Sequence, residues 1–254
     1  MEFFVSKQSI VREIWGKSDT ILFVFAGSSA EFALNKAVDW LYFTGRLPAD
    51  PLDRLFSTVM YARQIVFSEL ETAHNAIDKI TAIHTAIEKQ RGAQIPDWAY
   101  RDVLFMLIHY SIASFELLER KLTDKEKTDL FDVFYRMGQR MNLKGLPESY
   151  SQWLVMREEH LQNDLEKTNL TIDLYRQYRK HLGGPRYFLL KESQKLVSPV
   201  HVQRLLGFGK ISWITPLLLI YKFSRRIRMD WFLKSIILPS AYEKQIRELD
   251  VKPG

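Results

Sequence analysis

Helix-start chemistry followed by a 3.6-residue apolar period recurs along this chain, while the strict alternation of a half-buried strand scarcely occurs. Asp50 is placed to cap a helix with Pro51 at its first position and Asp53 at its third. That helix runs through "LDRLFSTVMYARQIVF", with Leu55, Val59, Ala62 and Val66 on one face. Ser68 with Glu71 reads as a capping box opening a second helix, which Gly92 ends. After Pro96, "DWAYRDVLFMLIHYSIASFELLERKL" is apolar on nearly every side, as in a helix at the centre of a bundle. Thr123 and Glu126 form a further capping box. "PESYSQWLVMREEHLQNDL" and "TIDLYRQYRKHL" continue the pattern until Gly183, Gly184 and Pro185 stop it, and shorter helices are expected at 198–208, 211–228 and 240–249. With no repeat and no break in composition, the pattern predicts an all-α fold: one domain over 1–254 with about eight to ten helices.

Composition then limits what such a fold does. The chain has 254 residues, 46% of them hydrophobic, enough for a substantial core. It has no cysteine, which removes disulfides, thiolate metal sites and a cysteine nucleophile. The N-terminal "MEFFVSKQSIVREIW" lacks the basic start and apolar block of a signal peptide. The longest apolar run, "ISWITPLLLIY" at 211–221, falls short of the roughly 20 residues that span a bilayer. A cytoplasmic protein is expected.

The net charge of +6 is carried by the C-terminal part, where residues 201–254 hold ten Lys/Arg against four Asp/Glu. In "YKFSRRIRMDWFLK" (221–234), Phe223, Ile227, Trp231 and Phe232 alternate with Lys222, Arg225, Arg226 and Arg228. That pattern suits a helix lying on an anionic membrane, at the inner face; it also suits aromatics packed inward beneath solvated charges. No nucleic-acid partner is expected, because the excess is modest and no reading motif accompanies it.

No Walker loop, GxGxxG turn, GxSxG elbow or HExxH pair is present, and Glu158–Glu159 before His160 is not the ExxH arrangement of di-iron bundles. "AGSSAEF" lacks the strand and spacing of an acyl-transfer nucleophile. What remains is a pair of histidines in apolar helical surroundings, His84 and His109. His84 shares a helical face with Ile77, Ile80 and Ile87 in "KITAIHTAIEK". A neutral imidazole there suits a haem iron; it also suits a core position bonded to a backbone carbonyl. Arg54 and Thr58, four apart on the preceding helix, suit an anionic or oxygen-bearing ligand, or else an exposed arginine and a threonine bonded back to its own helix.

"GRLPADPLDRLFSTVMYARQIVF", "AIDKITAIHTAI", "LFMLIHYSI", "LPESYSQW" and "LGGPRYFLL", in this order, resemble the mpaB/rubber-oxygenase family, over roughly residues 10–235. The RxxxT pair Arg54 and Thr58, and a histidine 26 positions beyond that threonine, are its most specific parts. The resemblance implies a globin-like helical fold with b-type haem, His84 as the axial iron ligand, and Arg54 and Thr58 beside the haem. His109 is similar to a histidine of the family's central helix and is implied to line the pocket with Phe105 and Met106. The implied function is a haem-dependent oxygenase in which dioxygen attacks a double bond of a hydrophobic, isoprenoid-like substrate. The alternative is a non-catalytic helical protein that holds haem or lipid at the membrane surface. The chain departs from rubber oxygenases in three places. Ser57 replaces a lysine that closes the distal position, Thr81 and Glu88 replace arginines flanking the ligand histidine, and the catalytic glutamate has only Glu31 and Asp39 near its place.

Overall fold

The computed structural model describes residues 2–45, 51–209, 211–226 and 250, with the side chains of 51–56 and 223–226 outside the description. Among the described residues are eleven helices: α1 (Ile10–Trp15), α2 (Ser18–Phe32), α3 (Val38–Phe43), α4 (Pro51–Phe67), α5 (Leu70–Arg91) and α6 (Asp97–Leu118), followed by α7 (Asp124–Arg140), α8 (Tyr150–Asn163), α9 (Asn169–Val197), α10 (Val200–Leu206) and α11 (Thr215–Arg226). No strand occurs among them, only the isolated β-bridges Phe3–Glu69 and Asn35–Leu165. The fold is all-α, as the periodicity predicts. Helix 240–249 and the cap at Asp50 lie outside the described residues, as does most of 221–234.

The Thr123 capping box forms in full: its hydroxyl accepts from the Glu126 amide, and Glu126 accepts from the Thr123 amide at 2.8 Å. Gly92 ends α5 in the left-handed conformation, φ 68°, which a side chain would disfavour. One expectation needs correction. Ser68 does not cap α5, because its own amide still bonds to Gln64 at the end of α4. Glu69 takes the cap position without a side-chain bond, and the Leu70 amide is satisfied by the Glu2 carbonyl at 3.0 Å. At Gly183–Pro185 the helix breaks as expected, and α9 is two helical segments joined across a kink. Gly183 alone leaves helical geometry (φ 71°, ψ 172°), and proline suits the first turn of the helix that resumes after it.

α2 lies against α6 along much of its length, and α9 covers another side of α2. The largest core brings together Trp15 of α1, Ile77 of α5, Phe105 and Phe115 of α6, Phe134 of α7 and Trp153 of α8. Trp15 and Trp153 are buried together with Tyr110, which belongs to a neighbouring cluster with Val24 of α2. The bridge between Asn35 and Leu165 ties the end of α2 to the end of α8, reinforced by the Glu166 amide on the Leu34 carbonyl at 2.7 Å. None of the described helices is long and apolar enough to cross a membrane.

Candidate active site

Between α2, α3, α4, α5 and α6 the helices leave a cavity of about 270 Å³ with mainly apolar walls. Thr58 of α4 and His84 of α5 both line it, with Ile80 and Ile87 on the same face as the histidine. Ile77, one turn earlier, is fully buried in the core. The isoleucine stripe thus passes from solid packing into the cavity wall, where His84 sits.

Tyr100 of α6 stands edge-on to the His84 ring, with centroids 5.1 Å apart. Its hydroxyl donates to Glu88 Oε1 at 3.1 Å, and the same oxygen accepts the Ile95 amide at 2.9 Å. Burial and the Glu88 carboxylate push the Tyr100 hydroxyl well above its ordinary pKa, so it stays protonated as a donor. Glu88 thus fixes the aromatic neighbour of the histidine.

Arg54 lies one turn before Thr58 on α4, and its side chain is outside the described residues. Met106 lines the cavity, whereas Phe105 and His109 do not. His109 packs edge-on to Tyr110 at 4.9 Å, and its Nε2 has no hydrogen-bond partner among the described residues. Burial, with Arg157 nearby, pushes its pKa down to about 4, so the ring is neutral. Asp39 is half exposed and pairs with Arg91 at 2.6 Å. Arg91, which spacing did not single out, lies 4.0 Å from the ring of Trp40, itself in the cavity wall. The Nη1 of this arginine is buried and has no hydrogen-bond partner among the described residues.

Glu31 is fully buried but outside the cavity wall. Both its oxygens accept from the Arg157 guanidinium, Tyr110 donates at 2.8 Å, and His160 Nε2 lies 2.9 Å away. Burial opposes ionisation of Glu31, and Arg157 with His160 outweighs it, so the carboxylate is held well below its ordinary pKa. On the other side of the ring, His160 Nδ1 lies 2.8 Å from Asp102 Oδ1 and 3.4 Å from Asp164 Oδ2. Burial would lower the His160 pKa, but the carboxylates beside it raise it to about 9. Asn35, a cavity-lining residue, donates to Asp102 Oδ2 at 3.0 Å and links the two regions. Sequence reasoning passed over this cluster because its members come from α2, α6 and α8. The local trace is the His160–Asp164 spacing of four, which puts both on one helical face.

The chain matches no curated protein and no solved structure. Residues 17–232 match the family described as ER-bound oxygenase mpaB/B'/rubber oxygenase, catalytic domain, which covers most of the sequence; the chain belongs to that oxygenase family.

Proposed function

We propose that the protein is a haem b-dependent oxygenase acting on a hydrophobic substrate of isoprenoid type, with His84 as the axial iron ligand. The observation that carries this reading is a histidine in the wall of an apolar cavity that also holds the threonine of the RxxxT pair. The donor chemistry fits the group. His84 offers an imidazole, the isoleucine and methionine walls are apolar, and the buried Arg91 Nη1, on an arginine packed against Trp40 of the wall, is an N–H suited to a propionate. At about 270 Å³ the cavity lies just below the roughly 300–1,000 Å³ of ordinary ligand pockets. A porphyrin therefore requires flexible wall residues such as Met137 and Met141 to turn aside, as methionines readily do.

Bound haem supplies the dioxygen chemistry; the chain supplies position and polarity. Tyr100, held by Glu88, limits rotation of the His84 ring. Thr58 lines the same cavity as His84, and the apolar walls seat a hydrocarbon chain beside it. Neither Glu31 nor Asp39 lines the cavity, so a proton acceptor from these two is not part of the proposal. The test is the absorption spectrum of protein expressed with ample haem. Wild type carries a Soret band that shifts on reduction, and His84→Ala loses or strongly shifts it while Thr58→Ala retains it. An unchanged spectrum in His84→Ala removes the ligand assignment.

A specific surface feature favours membrane contact as a second element. Trp213, Leu217 and Ile220 recur at helical spacing on and just before α11, each more than half exposed, beside the basic C-terminal part. Anionic vesicles are expected to float the protein at low salt and release it at high salt. Equal recovery from neutral and anionic vesicles rejects this.

A further inference from the structure

His160 Nδ1 is buried, lies within ion-pair reach of two carboxylates, and makes an aligned hydrogen bond with neither. Nε2 faces Glu31, an acceptor-only carboxylate, so Nε2 carries a proton. A neutral ring then turns its Nδ1 lone pair toward the oxygens of Asp102 and Asp164, which is repulsive unless a positive charge lies between them. A proton on Nδ1, which the carboxylates favour, supplies that charge, and a divalent ion in the same place supplies it to both carboxylates at once.

We propose that Asp102, His160 and Asp164 form a binding site for a first-row divalent cation, of the Zn²⁺ or Mn²⁺ kind. Their three ligand atoms lie within 4.8 Å of one another. With bonds of about 2.1 Å, separations of 2.8 and 3.4 Å subtend roughly 85° and 110° at the ion, within the range of common coordination geometries. One imidazole and two carboxylates, with the remaining positions left to water, suit a borderline to hard divalent ion.

The groups behind these ligands are placed as metal sites require. Glu31 accepts from the far nitrogen of His160 at 2.9 Å, and Asn35 donates to the far oxygen of Asp102 at 3.0 Å. The Asp164 backbone is fixed by its amide on the His160 carbonyl and by the Lys36 amide on its own carbonyl, both 2.9 Å. Charge also balances. Arg157 neutralises Glu31, and a divalent ion neutralises Asp102 and Asp164, so no buried charge is left over. The Asp164 side chain is 26% exposed and gives the ion and its waters a way in. The ion would tie α6 to the end of α8, beside the cavity and independent of what fills it.

The test uses the haem-free full chain after treatment with a chelator. Calorimetric titration with Zn²⁺ is expected to show one site, and Co²⁺ to give visible d–d absorption that Zn²⁺ displaces. Asp164→Asn removes a partly exposed ligand while leaving the Glu31–Arg157 pair intact, so it folds. It is expected to bind Zn²⁺ at least about tenfold more weakly and to lose the Zn²⁺-dependent rise in melting temperature. His84→Ala is expected to bind Zn²⁺ as wild type does, which separates this site from the haem proposal. No Zn²⁺ or Co²⁺ binding by wild type, or equal affinity in Asp164→Asn, overturns the proposal.

Discussion

Arg157→Met is expected to lower the unfolding free energy by about 3–5 kcal/mol, a large part of the roughly 5–15 kcal/mol of a typical domain. Glu31 has no solvent exposure and Arg157 almost none. The guanidinium reaches both Glu31 oxygens, and truncating it leaves a buried carboxylate with only Tyr110 and His160 as partners. The cost comes from stranding a charge, not from losing a net favourable pair. The double variant Glu31→Met/Arg157→Met should therefore be more stable than Arg157→Met alone, although it has lost more hydrogen bonds. Urea denaturation followed by far-UV circular dichroism measures both. A single variant within about 1 kcal/mol of wild type would mean that water reaches Glu31 and that the burial argument fails.

The helices were legible because their signals are local. A capping box, a proline at a first turn and a left-handed glycine each act within a few residues, and the chain follows Pro51, Thr123 and Gly92 as written. Where the competing partner is distant, local reading failed. Nothing near Ser68 announces that the Glu2 carbonyl will satisfy the start of α5. The family pattern was legible over roughly residues 10–235, the family match covers 17–232, and Thr58 and His84 come together on one cavity. His109 illustrates the limit of periodicity. α6 is apolar nearly all round, so its pattern does not say which side meets a cavity and which meets solid core. The polar cluster of Glu31, Asp102, Arg157 and His160 was invisible for a further reason. In sequence each is an ordinary charged residue on a helix, and only the crossing of α2, α6 and α8 makes them neighbours.

Gly27→Ala is the substitution for which propensity and packing predict opposite signs. In a helix interior, alanine in place of glycine ordinarily stabilises by about 0.5–1 kcal/mol, and nothing in the backbone at Gly27 calls for glycine. Packing forbids it. A Cβ at Gly27 would lie 2.1 Å from Tyr110 Cδ1 and 2.2 Å from Cε1, and the ring is fully buried with little room to move. Glu31, one turn further along α2, accepts the Tyr110 hydroxyl at 2.8 Å, so the glycine seats the ring that the glutamate then holds. Displacing that ring disturbs the contact of α2 with α6 and the Glu31 cluster together. Gly27→Ala is expected to destabilise by about 1–3 kcal/mol. In a Tyr110→Ala background, where the ring is gone, the same change should be neutral or stabilising, which gives a strong coupling in a double-mutant cycle. If Gly27→Ala stabilises the wild-type chain, α2 and α6 do not approach as closely as described, and the Glu31–Tyr110 bond loses its geometric basis.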